Sequence, residues 1–190
     1  MKYTDKQLLN RVKIMNGYKY IPPTPWIIGV RSKADAYNQF DDKFYLFKGE
    51  TFIAKATGTT NPGAYSLHHF KDYGASGSAV VVSDEWYYDV WTMGMHKAKV
   101  KALIQIGSFK IQRDNNLNNK SGDAGKIQIE SGIGINFHPA SYNLEQNTVR
   151  EKIDAWSAGC QVVNSNEEFK TFMANIPKNK KISYCLLKEF

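Results

Sequence analysis

Cysteine is scarce in this chain of 190 residues: Cys160 and Cys185 are the only two. Two thiols cannot build the disulfide framework of small secreted folds, although one bridge between them stays open. A chain of this length buries a sizeable core without staples. No Cys-x-x-Cys or His-x-x-x-His spacing occurs, and the adjacent His68 and His69 would face opposite sides of a strand. No metal or other cofactor is therefore expected. The segment Asp114-Asn115-Asn116-Leu117-Asn118 starts like a calcium loop but lacks the following Gly and the closing Glu, so it reads as a solvated loop. Gly58 and Gly63 lack the Lys-Ser/Thr partner of a phosphate loop. No zinc-finger spacing, RNA-binding signature or helix-turn-helix phrase is present, which argues against a specific nucleic-acid partner. No long apolar run or small-residue cleavage site marks the N-terminus. Neither a secretory signal peptide nor a membrane span is expected, which places synthesis in a cytoplasm. There is no internal repeat, and nothing sets an oligomeric state.

What is present is ordinary globular composition with a basic balance. Hydrophobic residues make up 42% and the formal net charge is +7, which favours polyanionic partners such as cell-wall polymers. The lysines are scattered, however. Only Lys178 to Lys181 forms a compact run, and after Pro177 it reads as a solvated loop. Aromatics reach 13%, more than a minimal core needs. Tyr87, Tyr88 and Trp91 are candidates for lining a groove, though core packing is the commoner use of such rings.

The pattern is mainly β. Thr4-Asp5-Lys6-Gln7 predicts a capped helix start, with Leu8, Leu9, Val12 and Met15 on one face and Gly17 at its end. Residues 1–25 read as an N-terminal helical arm and 26–190 as the main domain. Trp26 to Arg31 predicts a buried strand. Lys43 to Lys48 and Thr51 to Thr57 flank a Gly49-Glu50 turn and predict a hairpin. Gly58 to Gly63 is a loop, and Gly77 to Ser83 a short apolar strand. Lys99 to Ile106 and Gly107 to Arg113 predict a second hairpin. Lys126 to Phe137 alternates and leads to a strand ending at His138. One later helix is expected over Asn166 to Asn175, with Phe169, Phe172 and Met173 on one face, and a last strand over Ile182 to Leu187.

Two segments carry chemistry: Ile135-Asn136-Phe137-His138-Pro139 and Trp156-Ser157-Ala158-Gly159-Cys160-Gln161. A nucleophilic cysteine needs a base within reach and backbone N–H groups aimed at the developing oxyanion. His138 at a strand end is the candidate base. The small residues Ala158 and Gly159 leave room for a carbonyl beside Cys160, and the Gly159 and Cys160 amides are candidate oxyanion donors. Ser157 reads equally as an orienter of the histidine or as a turn former. His96, in Gly94-Met95-His96-Lys97, is either a third polar group of the site or a surface histidine. Cys185, in the apolar run Tyr184-Cys185-Leu186-Leu187, reads as core.

The order and spacing of His138 and Ser157-Ala158-Gly159-Cys160 resemble the signature of the L,D-transpeptidase-like family, the YkuD-type fold. Phe44 to Phe47, Thr57-Gly58 and Asn61-Pro62-Gly63 resemble that family's early hairpin and loop. The phrases Phe40-Asp41-Asp42-Lys43-Phe44, Met95-His96-Lys97 and Trp156-Ser157-Ala158-Gly159-Cys160 look closest to a branch often carried by bacteriophages and described as lysins. The resemblance covers roughly residues 26 to 175. It implies a β-rich α+β fold, a mixed-sheet sandwich with a short N-terminal helix and one helix after the cysteine. It implies a Cys160 thioester with His138 as base and peptidoglycan stem peptides as substrate, at the cell wall or from a virion. Two positions depart from it. Ala158 stands where members often carry His, and Val162 where they often carry an Arg expected to hold a substrate carboxylate or to order the loop. Three functions follow: a peptidase cleaving stems, a transpeptidase joining them, or a wall-binding protein without turnover.

Overall fold

The structure is a computed structural model and describes residues 2–190. Strand outweighs helix, 40% against 14%, and the mainly β expectation holds. The two sheets are unequal. Eight strands close into a barrel, and three form a small sheet beside it. The barrel strands are β1 (Pro25–Arg31), β2 (Asp42–Lys48), β3 (Thr51–Thr59), β5 (Glu85–His96), β6 (Val100–Gln105), β9 (Phe137–Pro139), β10 (Gln161–Val163) and β11 (Ile182–Lys188). The small sheet holds β4 (Ser78–Val81), β7 (Ser108–Asp114) and β8 (Ile127–Ser131). Around the barrel the order is β1, β11, β5, β6, β9, β10, β3, β2, with β1–β11 and β9–β10 parallel.

Alternation of side chains builds two apolar layers. Ile27, Phe44, Leu46, Tyr184 and Leu186 point into the inner cluster, while Trp26, Ile28, Tyr45, Phe47, Cys185 and Leu187 form an outer one. Both faces of β1, β2 and β11 are thus covered, which is why those strands read as continuous apolar runs. The outer layer is closed by α1 (Asp5–Val12), whose Leu8, Leu9 and Val12 pack on it. The Thr4–Gln7 capping box is formed, but the helix ends at Val12, before the expected Gly17. From the small sheet, Ala79, Val81, Phe109 and Ile111 join the inner cluster. So do Phe169 and Phe172 of α3 (Asn166–Ala174), capped by Ser165.

Four expectations need correction. Lys99–Ile106 and Gly107–Arg113 are strands but not a hairpin: β6 pairs with β5 and β9, whereas β7 pairs with β4 and β8. The stretch from Lys126 to His138 is two strands, separated at Gly132 and Gly134, which both take positive φ. A helix that the sequence pattern does not predict, α2 (Ala64–His69), follows the Asn61-Pro62-Gly63 loop and runs into a 3-10 turn, Phe70–Tyr73. Tyr87 and Trp91 belong to the inner cluster and line no groove; the Tyr88 hydroxyl binds the backbone of Lys19 and Tyr20.

Candidate active site

The parallel pair β9–β10 sets His138 beside Val162, while Phe137 and Val163 turn inward. His138 therefore shares the outward face with Val162. Cys160 lies one step before β10 and packs in the same outward cluster as Val162, with Phe40, Ala140 and Ile153. Cys160 and His138 thus stand on one face of adjacent strands, one diagonal step apart. His96 ends β5, with β6 between it and β9. On β6, Leu103 is inward and pairs with Phe137, so Ala102 takes the outward place nearest His138. A methyl group there leaves the imidazoles free to meet. The rings of His96 and His138 stack at 3.9 Å with 13° between their planes.

Hydrogen bonds assign the protons. The Nδ1 of His138 lies 2.9 Å from the Pro139 carbonyl. A carbonyl only accepts, so Nδ1 carries the proton and Nε2 carries a lone pair. That Nε2 is buried and has no hydrogen-bond partner. Asn136 accepts the Gln105 N–H at its Oδ1, 2.9 Å, and so donates its Nδ2 to His96 Nδ1, 3.0 Å. Burial lowers the pKa of His138 to about 3, with His96 and Lys97 adding to the effect. Burial and then Lys97 lower His96 to about 4. The Cys160 thiol is pushed up to about 11 by burial, against the pull of the Asn136 N–H and the Lys97 charge. It donates to the Gly134 carbonyl at 3.1 Å. The site at rest holds a neutral thiol and two neutral imidazoles.

The Cys160 loop is held from two sides. Ser157 Oγ donates to the Cys160 carbonyl, 2.9 Å, and accepts the Gly159 N–H, 3.2 Å. Ser157 thus shapes the loop, and its hydrogen bonds do not include His138. Gly159 has φ +129° and a Cβ there would lie 2.6 Å from the Ala79 carbonyl oxygen, so only glycine fits. Of the two expected oxyanion donors, the Gly159 N–H is already engaged. The Cys160 N–H donates to no acceptor among the described residues. From below, Tyr184 donates to Gln161 Oε1 at 2.7 Å, and Gln161 Nε2 donates to the Gly159 carbonyl at 3.2 Å.

No family model, curated protein or solved structure matches the protein. The chemistry of the site therefore rests on its own geometry. Around it stand residues to which the motifs give no role. Tyr142 lies 6.4 Å from His96 and 5.0 Å from Trp156, ring to ring. Lys99 Nζ lies 4.8 Å over Tyr142, and the Arg150 guanidinium 5.5 Å over Trp156. A cavity of about 360 Å³ reaches the loop at Ala158 and is walled by Ser66, Phe70, Tyr73, Arg113 and Ile133. Asn136 was discoverable in principle: two positions before His138 on a strand, it faces the same side. Trp156 stands inside the cysteine phrase, and Tyr142 carries no such local signal. Among the described residues no helix is long and apolar enough to cross a membrane.

Proposed function

We propose that this protein is a cysteine-dependent peptidase of bacterial peptidoglycan, with Cys160 as nucleophile and His138 as general base. One observation carries the reading. A buried imidazole nitrogen with a fixed lone pair and no partner stands one diagonal step from a thiol. An unpaired buried group of this kind costs about 1–3 kcal/mol and calls for a reason. Accepting the Cys160 proton supplies one.

The steps follow from the atoms. The thiol leaves the Gly134 carbonyl and passes its proton to His138 Nε2 as Sγ attacks the substrate carbonyl carbon. The resulting oxyanion takes the free Cys160 N–H. The His138 imidazolium, disfavoured by burial, gives its proton to the departing amine nitrogen as the C–N bond breaks. A thioester remains. Water, deprotonated by His138, attacks it, releases the acid and returns the proton to Sγ. An incoming amine in place of that water would make the protein a transpeptidase.

The basic net charge and the Lys99, Arg150, Tyr142 and Trp156 surroundings support an anionic peptide–glycan substrate. So does the resemblance of the His138 and Cys160 segments to L,D-transpeptidase-like enzymes. The test is digestion of purified peptidoglycan by wild type and Cys160→Ala, with products read by mass spectrometry. Stem fragments released by wild type alone are the expected result. Joined stems would replace peptidase by transpeptidase. Binding by both proteins without any product, on several wall types, would leave a wall-binding module.

A further inference from the structure

The turn that carries His96 into the site is an unusual one. The Lys99 N–H bonds the His96 carbonyl at 2.9 Å, and Lys97 and Ala98 between them have φ +50° and +56°. Two consecutive positive φ values close a two-residue hairpin turn of the kind that strongly prefers Asn-Gly. Non-glycine residues there cost about 1 kcal/mol each. The turn sets two lysines on either side of Ala98, close behind His96. Lys97 follows His96 directly, and its charge bears on His96, His138 and Cys160 alike. Lys99 sits over Tyr142, whose ring lies against His96. Arg150 lies over Trp156 on the other side of the aromatic pair. Among the described residues none of these three cations is in a salt bridge.

We propose that the Lys97–Lys99 turn is a carboxylate-recognition rim, binding a free carboxylate of the peptide substrate next to the bond that Cys160 attacks. The rim lies on the far strand of the site, reached through β5. On the opposite strand the outward residue after Cys160 is the fully buried Val162, so β10 offers no cation there. The carboxylate has two possible sources, the C-terminus of a peptide or an acidic side group along it.

The inference takes its substrate from the peptidase reading, and its first test does not need turnover. Iodoacetate and iodoacetamide both alkylate a thiolate, the sulfur displacing iodide from carbon, and differ in charge. Their rates at Cys160 are measured on the full-length protein by peptide mass, for wild type and for a Lys97→Met/Lys99→Met double variant. Both lysines are exposed, so the fold survives. The iodoacetate-to-iodoacetamide ratio is expected to fall about fivefold in the double variant, and the wild-type ratio to fall as salt rises. An unchanged ratio overturns the rim, and so does a Cys160 that neither reagent labels. A falling ratio in a protein that leaves peptidoglycan untouched sinks the peptidase reading alone. The second test compares stem-like peptides ending in carboxylate or amide, and peptides carrying Glu or Gln. The pair whose charged member loses its kcat/KM advantage in the double variant names the source. No loss in either pair overturns the substrate assignment.

Discussion

The chemistry of His138 is set by what surrounds each of its nitrogens. Nδ1 is committed to the Pro139 carbonyl, and Nε2 has a lone pair and no partner. Burial keeps the ring neutral far below the ordinary histidine range, so the Nε2 lone pair is available to the proposed base role at ordinary pH. The limiting proton is on Cys160. With the thiol pushed up to about 11, the rate of its alkylation by iodoacetamide should rise roughly tenfold per pH unit from 7 to 10. A plateau below pH 8 would reveal a preformed thiolate–imidazolium pair and contradict the neutral resting site. Replacing His138 by Asn keeps a polar side chain without the base. On the proposed peptidase reading, turnover of peptidoglycan stems should then fall by roughly 100-fold to 10,000-fold, with alkylation at pH 10 unchanged. Loss of both would instead mean that His138 holds the loop in shape.

Secondary-structure elements place these residues, and their support comes from inside the barrel. Tyr184 reaches from β11 to Gln161, which holds the Gly159 carbonyl. Removing that hydroxyl by Tyr184→Phe leaves Gln161 Oε1 without this donor in the core. We expect a loss of about 1–3 kcal/mol in urea unfolding together with a changed rate of Cys160 alkylation. The β5–β6 turn predicts the opposite sign. Ala98→Gly removes a strained left-handed residue and should stabilise the fold by up to about 1 kcal/mol, a rise in Tm of about 2–4 °C. Elements of this kind differ in how much of them is written locally. The β2–β3 hairpin is legible because Gly49-Glu50 separates two strand-like runs, and α3 because Phe169 and Phe172 share a face. The 12-residue β5 is not legible. A bulge at Asp89, φ +54°, resets the alternation, so that Trp86 faces outward, Tyr87 inward, and Val90 and Trp91 both inward. The same gap explains the site. Cys160 and His138 stand out in the sequence through their own neighbours. The approach of His96 depends on β5, β6 and β9 lying side by side, which no local pattern contains.

At the scale of the whole molecule, three buried titratable side chains make stability depend on pH, and they do not all pull one way. His138 and His96 have folded pKa values of about 3 and about 4, below the ordinary 6.5. Between pH 6.5 and 4.5 an unfolded chain takes up protons at both, and the folded protein takes up far fewer there. Their contribution is present above pH 6.5 and is lost as pH falls. Asp42 is the reverse. Burial raises it to about 6, against Arg31 and the Ser32 and Thr60 hydrogen bonds, which pull it down. Its contribution is present below about 4 and is lost as pH rises through 6. Across the same window two protons favour the unfolded chain and one favours the fold. Stability should therefore fall on acidification by about 1 kcal/mol per pH unit. A His96→Gln/His138→Gln variant leaves Asp42 as the main buried group titrating in that range, and the slope should change sign. Urea unfolding of both proteins at pH 6.5 and 4.5 measures it. Wild type should be weaker at the lower pH and the double variant stronger. If both weaken equally, the two imidazoles are not the neutral buried pair that the proton assignment requires.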